Sequence, residues 1–203
     1  VVTDDATEHP DLPGESDVPY EELPPGGEAD EARVTFWEKS QEVRFDTWTL
    51  RDHCFELPGQ HLEAQERILE NVPVGEVTHR LKTVGDALEH YDFPGGYAQR
   101  SDGVDPQGAP QPGELQKVFP DRDRTARIRI EAEEMLAVGV EGRSYCRHFA
   151  PGFAFTLSRH FDADGRYLLT SVEHEASMEG DYRTGAPLPF VYRNEFRAVP
   201  AVL

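Results

Sequence analysis

"GFAFTLSRHFDADGRYLLTSVEHEA", Gly152 to Ala176, decides the fold. Its first half sets Phe153, Phe155 and Leu157 in alternation with Ala154, Thr156 and Ser158. A period of two is that of a strand with one buried face. "DADG" is a turn and "RYLLTSVEHEA" a returning strand, so the stretch predicts an antiparallel hairpin. Downstream, "FVYRNEFRAV" at 190–199 reads as a last strand.

Upstream lies "DRTARIRIEAEEMLA", Asp123 to Ala137, the one strong helix pattern. Asp123 is placed to cap its start, and Ala126, Ile130 and Met135 fall near one face with Ala132 and Leu136. Gly139 and Gly142 are expected to end it. Before the helix, residues 98–122 form a break, with Pro106, Pro110, Pro112 and Pro120 among glycines and aspartates. Earlier still, "RVTFWEK" and "EVRFDTWTLRD" are rich in Val, Thr, Phe and Trp and predict two strands joined by the polar break Lys39–Gln41. "HLEAQERIL" fits either helix or strand and is read as strand from its neighbours; "EVTHRLK" is another strand. "HYDFPGGY", His90 to Tyr97, is a turn with aromatic shoulders. Pro94-Gly95 suits the centre of a type II turn, with positive φ at Gly95 and with Tyr91 and Tyr97 packed on either side. The class is mainly β with one or two helices, an α+β barrel or sandwich.

The 203 residues carry a net charge of −19, from 39 acids and 20 bases. Val1 to Glu31 hold eleven acids and no Lys or Arg. Such a surface repels phosphate backbones and anionic membranes, which excludes nucleic acid as a partner class. Residues 4–32 also hold Pro10, Pro13, Pro19, Pro24 and Pro25, so they read as a solvated connector with one stickier spot, "VPYEEL". No apolar run approaches the roughly 18 residues a spanning helix needs. The domain plan is a connector over 1–32, a β-rich intervening segment over 33–97, a Pro/Gly-rich linker over 98–122, and a helix plus barrel segment over 123–203.

Eight histidines and two cysteines invite a metal hypothesis. Cys146, His148, His160 and His174 form one loose set; His53, Cys54 and His61 form another. Neither has the tight paired spacing of a tetrahedral zinc site. His160 and His174 are placed to face each other across the predicted hairpin, and with Glu173 they make the alternative of a metal-dependent hydrolase. A β-sandwich ligand-binding module is the other alternative. "DADG" lacks the later ligands of a calcium loop. Glu131, Glu133 and Glu134 read as an exposed helix face rather than an acid–base pair. Common nucleophile and phosphate-loop signatures are absent from the sequence. No catalytic, cofactor-binding or metal residue is assigned, and the expected cofactor is none.

Several stretches, in order, resemble the VgrG family of type VI secretion spike proteins, which are similar to phage baseplate hubs and Rhs-element Vgr proteins. They are "VVTDDATEHPDLPG", "TLRDHCFELP" at Thr49–Pro58, "EHYDFPGGY" at Glu89–Tyr97, and "RIRIEAE" followed by "GRSYCRHFAPGFAFTLSRH". "RYLLTSVEHEA" and "YRNEFRAVPA" complete the series. The departures are His53-Cys54, where the family has an aromatic-Asp pair, and inserts around 26–31 and 104–114. The resemblance implies a tail-tube-like antiparallel β-barrel plus an intervening segment, without the first barrel, the OB-like domain and the β-helical needle. It implies a non-enzymatic part: homotrimers whose six barrels form a pseudo-hexameric ring on the Hcp tube, with effector proteins as further partners. It also implies residence in the cytoplasm before firing and secretion afterwards. In that setting the turn at Phe93-Pro94-Gly95 is scaffold, not pocket.

Overall fold

A computed structural model describes residues 9–23, 32–83, 87–100, 103–104, 108, 110–178 and 190–203. The insert at 26–31 lies outside them. The fold is mainly β with one long helix, and it divides into two compact units. One unit takes 1–41, 72–79 and 138–203; the other takes 42–71 and 80–137.

The first unit is built on the predicted hairpin. β9 (Ala154–Ser158) and β10 (Gly165–Met178) pair antiparallel, and β11 (Phe190–Pro200) returns along β10. β8 (Val138–Ser144) and β2 (Val34–Gln41) extend the sheet on the β11 side, and β1 (Asp17–Pro19) lies parallel to β9 on the other. The order is β1-β9-β10-β11-β8-β2. The two edges then meet. Tyr20, just past β1, bridges Val34 at the start of β2, and the Glu21 N–H donates to the Val34 carbonyl at 2.9 Å. The sheet is therefore curled and joined at that end. Inside it, Phe149, Phe155, Tyr167 and Phe196 are buried, and the Trp37 ring sits 4.7 Å from Tyr167. Phe196 lies across its cross-strand partner Gly142, where any Cβ would overlap the ring. β5 (Asn71–Val74) and β6 (Val77–Arg80) form a separate small hairpin.

Three expectations change here. Gly139 and Gly142 do not end the helix. The chain passes from helix into β8 at Val138 without a loop, and the glycines sit inside the strand. Lys39–Gln41 is no break either, because these residues pair with Val140, Gly139 and Val138 as the end of β2. Residues 9–23 are not a solvated arm. Leu12 and Val18 are buried, and Asp11, Asp17 and Glu21 bond to Arg166, Ser158 and Arg33. Two apolar side chains and a run of backbone bonds dock the segment, which composition alone did not show.

In the second unit, β3 (Thr47–Asp52) is flanked by antiparallel β4 (Leu62–Arg67) and parallel β7 (Glu89–Asp92). The ambiguous "HLEAQERIL" is thus strand. β3 and β2 lie in different sheets. A short turn of helix, α1 (Pro112–Leu115), precedes α2 (Val118–Ala137). α2 begins five residues before the expected Asp123. Pro120 falls in its first turn, where a missing N–H forfeits no helical bond, and Asp123 pairs with Arg122 instead of capping. The inner face holds Val118, Ala126, Ile130 and Ala137 together with Thr125, Glu133 and Glu134. Met135, Leu136 and Ala132, expected inside, are exposed.

Phe155 is fully buried among three core rings. Phe155→Ala is expected to cost about 3–5 kcal/mol in denaturant unfolding. Phe161→Ala, at 83% exposure, should stay within about 0.5 kcal/mol of the parent. A Phe155→Ala loss below about 1 kcal/mol would mean that the strand presents its other face to the core.

Candidate functional site

The aromatic turn shows what its residues are for. The Phe93–Pro94 bond is cis, and positive φ falls at Gly96 (75°), not Gly95, so the type II turn is overturned. Gly95 is required for space instead: a Cβ there would stand 2.6 Å from the Tyr97 ring. Its N–H donates to the Arg51 carbonyl at 2.9 Å. Tyr97 is fully buried and its hydroxyl donates to the Leu62 carbonyl at 2.5 Å, while Asp52 accepts from the Ala98 N–H at 3.0 Å. Burial, with Asp52 nearby, pushes the Tyr97 phenol up to about 12. Tyr91 and Phe93 point to solvent, so only one aromatic shoulder packs.

The candidate metal residues are dispersed. His53 is exposed while Cys54 is buried. Cys146 is buried, its carbonyl accepting from Asn194 and Tyr192 at 2.8 and 3.2 Å. Burial pushes its thiol up to about 12, against a contact with Ser144, so the thiolate that binds metal or attacks carbon is disfavoured. The His148 Nε2 lies 3.3 Å from the Glu15 carbonyl. His160 and His174 do not face each other. β9 pairs with β10 only over Gly165–Leu168, so His174 lies beyond it, opposite Asn194 of β11, with Nδ1 2.6 Å from the Tyr192 hydroxyl. His160 is held between Tyr20 and Phe161. Among the described residues no three His, Cys, Asp or Glu side chains gather as a metal set.

The helix carboxylates were misplaced by the sequence reading. Glu133 accepts from Arg44 Nε at 2.8 Å and Glu134 from the Leu69 N–H at 2.6 Å; both are buried, while Glu131 is exposed. Burial raises the Glu134 carboxyl, partly opposed by that bond. Asp46, which sequence reasoning passed over, is 1% exposed. It accepts from the Thr83 N–H (2.6 Å), the Thr83 hydroxyl and the Leu88 N–H (3.1 Å). Its only sequence signal is a lone aspartate at the entry of an apolar strand.

The outer face of the first unit's sheet carries cross-strand charge pairs. Arg143 meets Glu195 at 3.0 Å, Arg197 meets Glu141 at 3.0 Å, and Arg193 meets Glu175 at 2.6 Å. A shallow cavity of about 480 Å³ lies there, bordered by Phe36, Arg143, Glu173 and Glu195, with the Arg143 guanidinium 5.1 Å from the Phe36 ring centre. Exposed pairs of this kind add little stability.

The six-stranded sheet is curled and held shut by its own leading segment. The sequence model of the phage tail baseplate hub (GPD) matches residues 1–180, and the chain belongs to that family. It is 28% identical over 189 residues to the type VI secretion system spike protein VgrG1a of Pseudomonas aeruginosa strain PAO1, which covers 92% of this chain and 24% of the relative. Against VgrG1b of the same organism it is 27% identical over 188 residues, 91% of this chain and 21% of the relative. The chain spans about a quarter of the length of these curated relatives. The resemblance to VgrG proteins drawn from the motifs is borne out.

Asp46 gives a pH test. Burial opposes its ionisation, but the bonds from Thr83 and Leu88, helped by Lys82, outweigh it and hold the carboxyl below its usual value. A lowered folded-state pKa adds stability above the unfolded value of about 3.9, and that stability is lost as pH falls through the folded pKa. Asp46→Asn is expected to cost about 2–3 kcal/mol at pH 7 and clearly less near pH 2, measured by urea unfolding. An equal cost at both pH values would remove the charge from this account.

Proposed function

We propose that the chain is a structural part of a type VI secretion spike. In this reading its barrel is one segment of a ring formed by a homotrimer, pseudo-hexameric in cross-section, that docks on the Hcp tube. The spike waits in the cytoplasm and leaves the cell when the apparatus fires, with effector proteins as further partners. The observation that carries the reading is the six-stranded sheet joined edge to edge around an aromatic core, in a chain of the baseplate hub family. The similarity to two spike proteins over nearly the whole chain supports it. No reaction is assigned. The hydrolase alternative loses its geometric basis with His160 and His174 apart, and among the described residues of the first unit the sandwich alternative finds only the two-stranded β5–β6 hairpin besides the six-stranded sheet.

Light scattering tests the proposal on a chain extended to the length of the relatives. A stable trimer that retains Hcp rings on a sizing column is expected. A monomer at micromolar concentration overturns the spike reading.

A further inference from the structure

β2 carries Trp37, Lys39 and Gln41 on one face, because side chains two apart share a face of a strand. Trp37 packs against the core rings of Phe155, Tyr167 and Phe196, so this face points inward. Lys39 is carried in with it, its side chain only 15% exposed. The Nζ of Lys39, the Nε1 of Trp37 and the Nε2 of His79 are all buried, with no hydrogen-bond partner among the described residues. The facing carboxylate is Asp162, whose Oδ2 stands 3.9 Å from Nζ, beyond hydrogen-bond reach. Its Oδ1 lies 3.1 Å from His160 Nδ1.

His79 arrives on the β5–β6 hairpin, which is seated on the same loop: the Glu76 N–H donates to the Asp162 carbonyl at 3.1 Å. His79 Nδ1 stands 3.0 Å from Gln41 Oε1. A carbonyl oxygen only accepts, so Nδ1 bears the proton and Nε2 is left as an acceptor. Burial and then the Lys39 charge lower the pKa of this imidazole, partly opposed by Asp162. Three buried groups therefore have unmet demand, the N–H donors of Lys39 and Trp37 and the acceptor Nε2 of His79, and the half-exposed Asp162 carboxylate stands next to the first of them. A buried ammonium without a hydrogen bond is strongly unfavourable, and a polar gap just beyond contact is where a bridging water fits.

We propose that one buried water links Lys39 Nζ to Asp162 Oδ2 and donates its other proton to His79 Nε2, pinning the β5–β6 hairpin to the sheet. The Trp37 N–H supplies the remaining contact, giving the water two accepted and two donated bonds. A small anion does not fit this set. It cannot donate to His79, and it would face the Asp162 charge. The inference is independent of the spike reading.

A crystal structure from bromide-soaked crystals tests it. A single ordered peak without anomalous signal is expected about 2.6–3.2 Å from both Lys39 Nζ and Asp162 Oδ2. Lys39→Met should lose that peak and shift the His79 titration upward by NMR. A bromide signal at the position, direct Lys39–Asp162 contact with no peak, or a peak that survives in Lys39→Met overturns the proposal.

Discussion

The first unit rests on one short backbone meeting, where Tyr20 and Glu21 reach Val34. A six-stranded sheet otherwise presents two open edges, each a row of unpaired amides and carbonyls. β1 covers the β9 edge, and the residue after it touches β2. With the edges drawn together, the inward side chains have nowhere to go but against each other. This is why Phe149, Phe155, Tyr167 and Phe196 form one cluster, and why Gly142 must stay bare beneath Phe196.

Acidity serves structure as much as solubility here. Asp46, Asp52 and Glu134 accept backbone N–H groups of Thr83, Leu88, Ala98 and Leu69. Glu133 takes Arg44, and the leading segment is tied by Asp11, Asp17 and Glu21. A carboxylate accepts several bonds at once and donates none, so it suits the irregular entries to strands where amides lack ladder partners. Net charge alone hides this use, because it counts acids without placing them.

The hairpin and the closing strand were legible because alternation of Phe155 and Leu157 with Thr156 and Ser158 has one physical meaning. The helix was legible as a helix but not in its facing. Met135 and Leu136 look like core and Glu133 and Glu134 like surface until Arg44 and Leu69 appear from distant parts of the chain. Sequence order also gave no hint that β2 joins β8 rather than β3, since that choice is made by tertiary packing. Gly95 was assigned positive φ from local dipeptide preference, whereas the constraint on it is the Tyr97 ring. The separation of His174 from His160 follows from the register of β10, which no spacing rule contains.

The interleaving of the two units sets an order of events during synthesis. β2 ends at Gln41, and its partner β8 does not begin until Val138; β1 waits still longer, for β9. The second unit, 42–71 with 80–137, is complete before either partner leaves the ribosome. At about 5–20 residues per second, β2 spends on the order of 5–20 s as an unpaired strand carrying Val34, Phe36 and Trp37. The segment ahead of it carries eleven acids and no lysine or arginine up to Glu31. Like charges on neighbouring nascent chains repel, so a set of acids that includes the later ties Asp11, Asp17 and Glu21 acts first as a gatekeeper against premature pairing between copies.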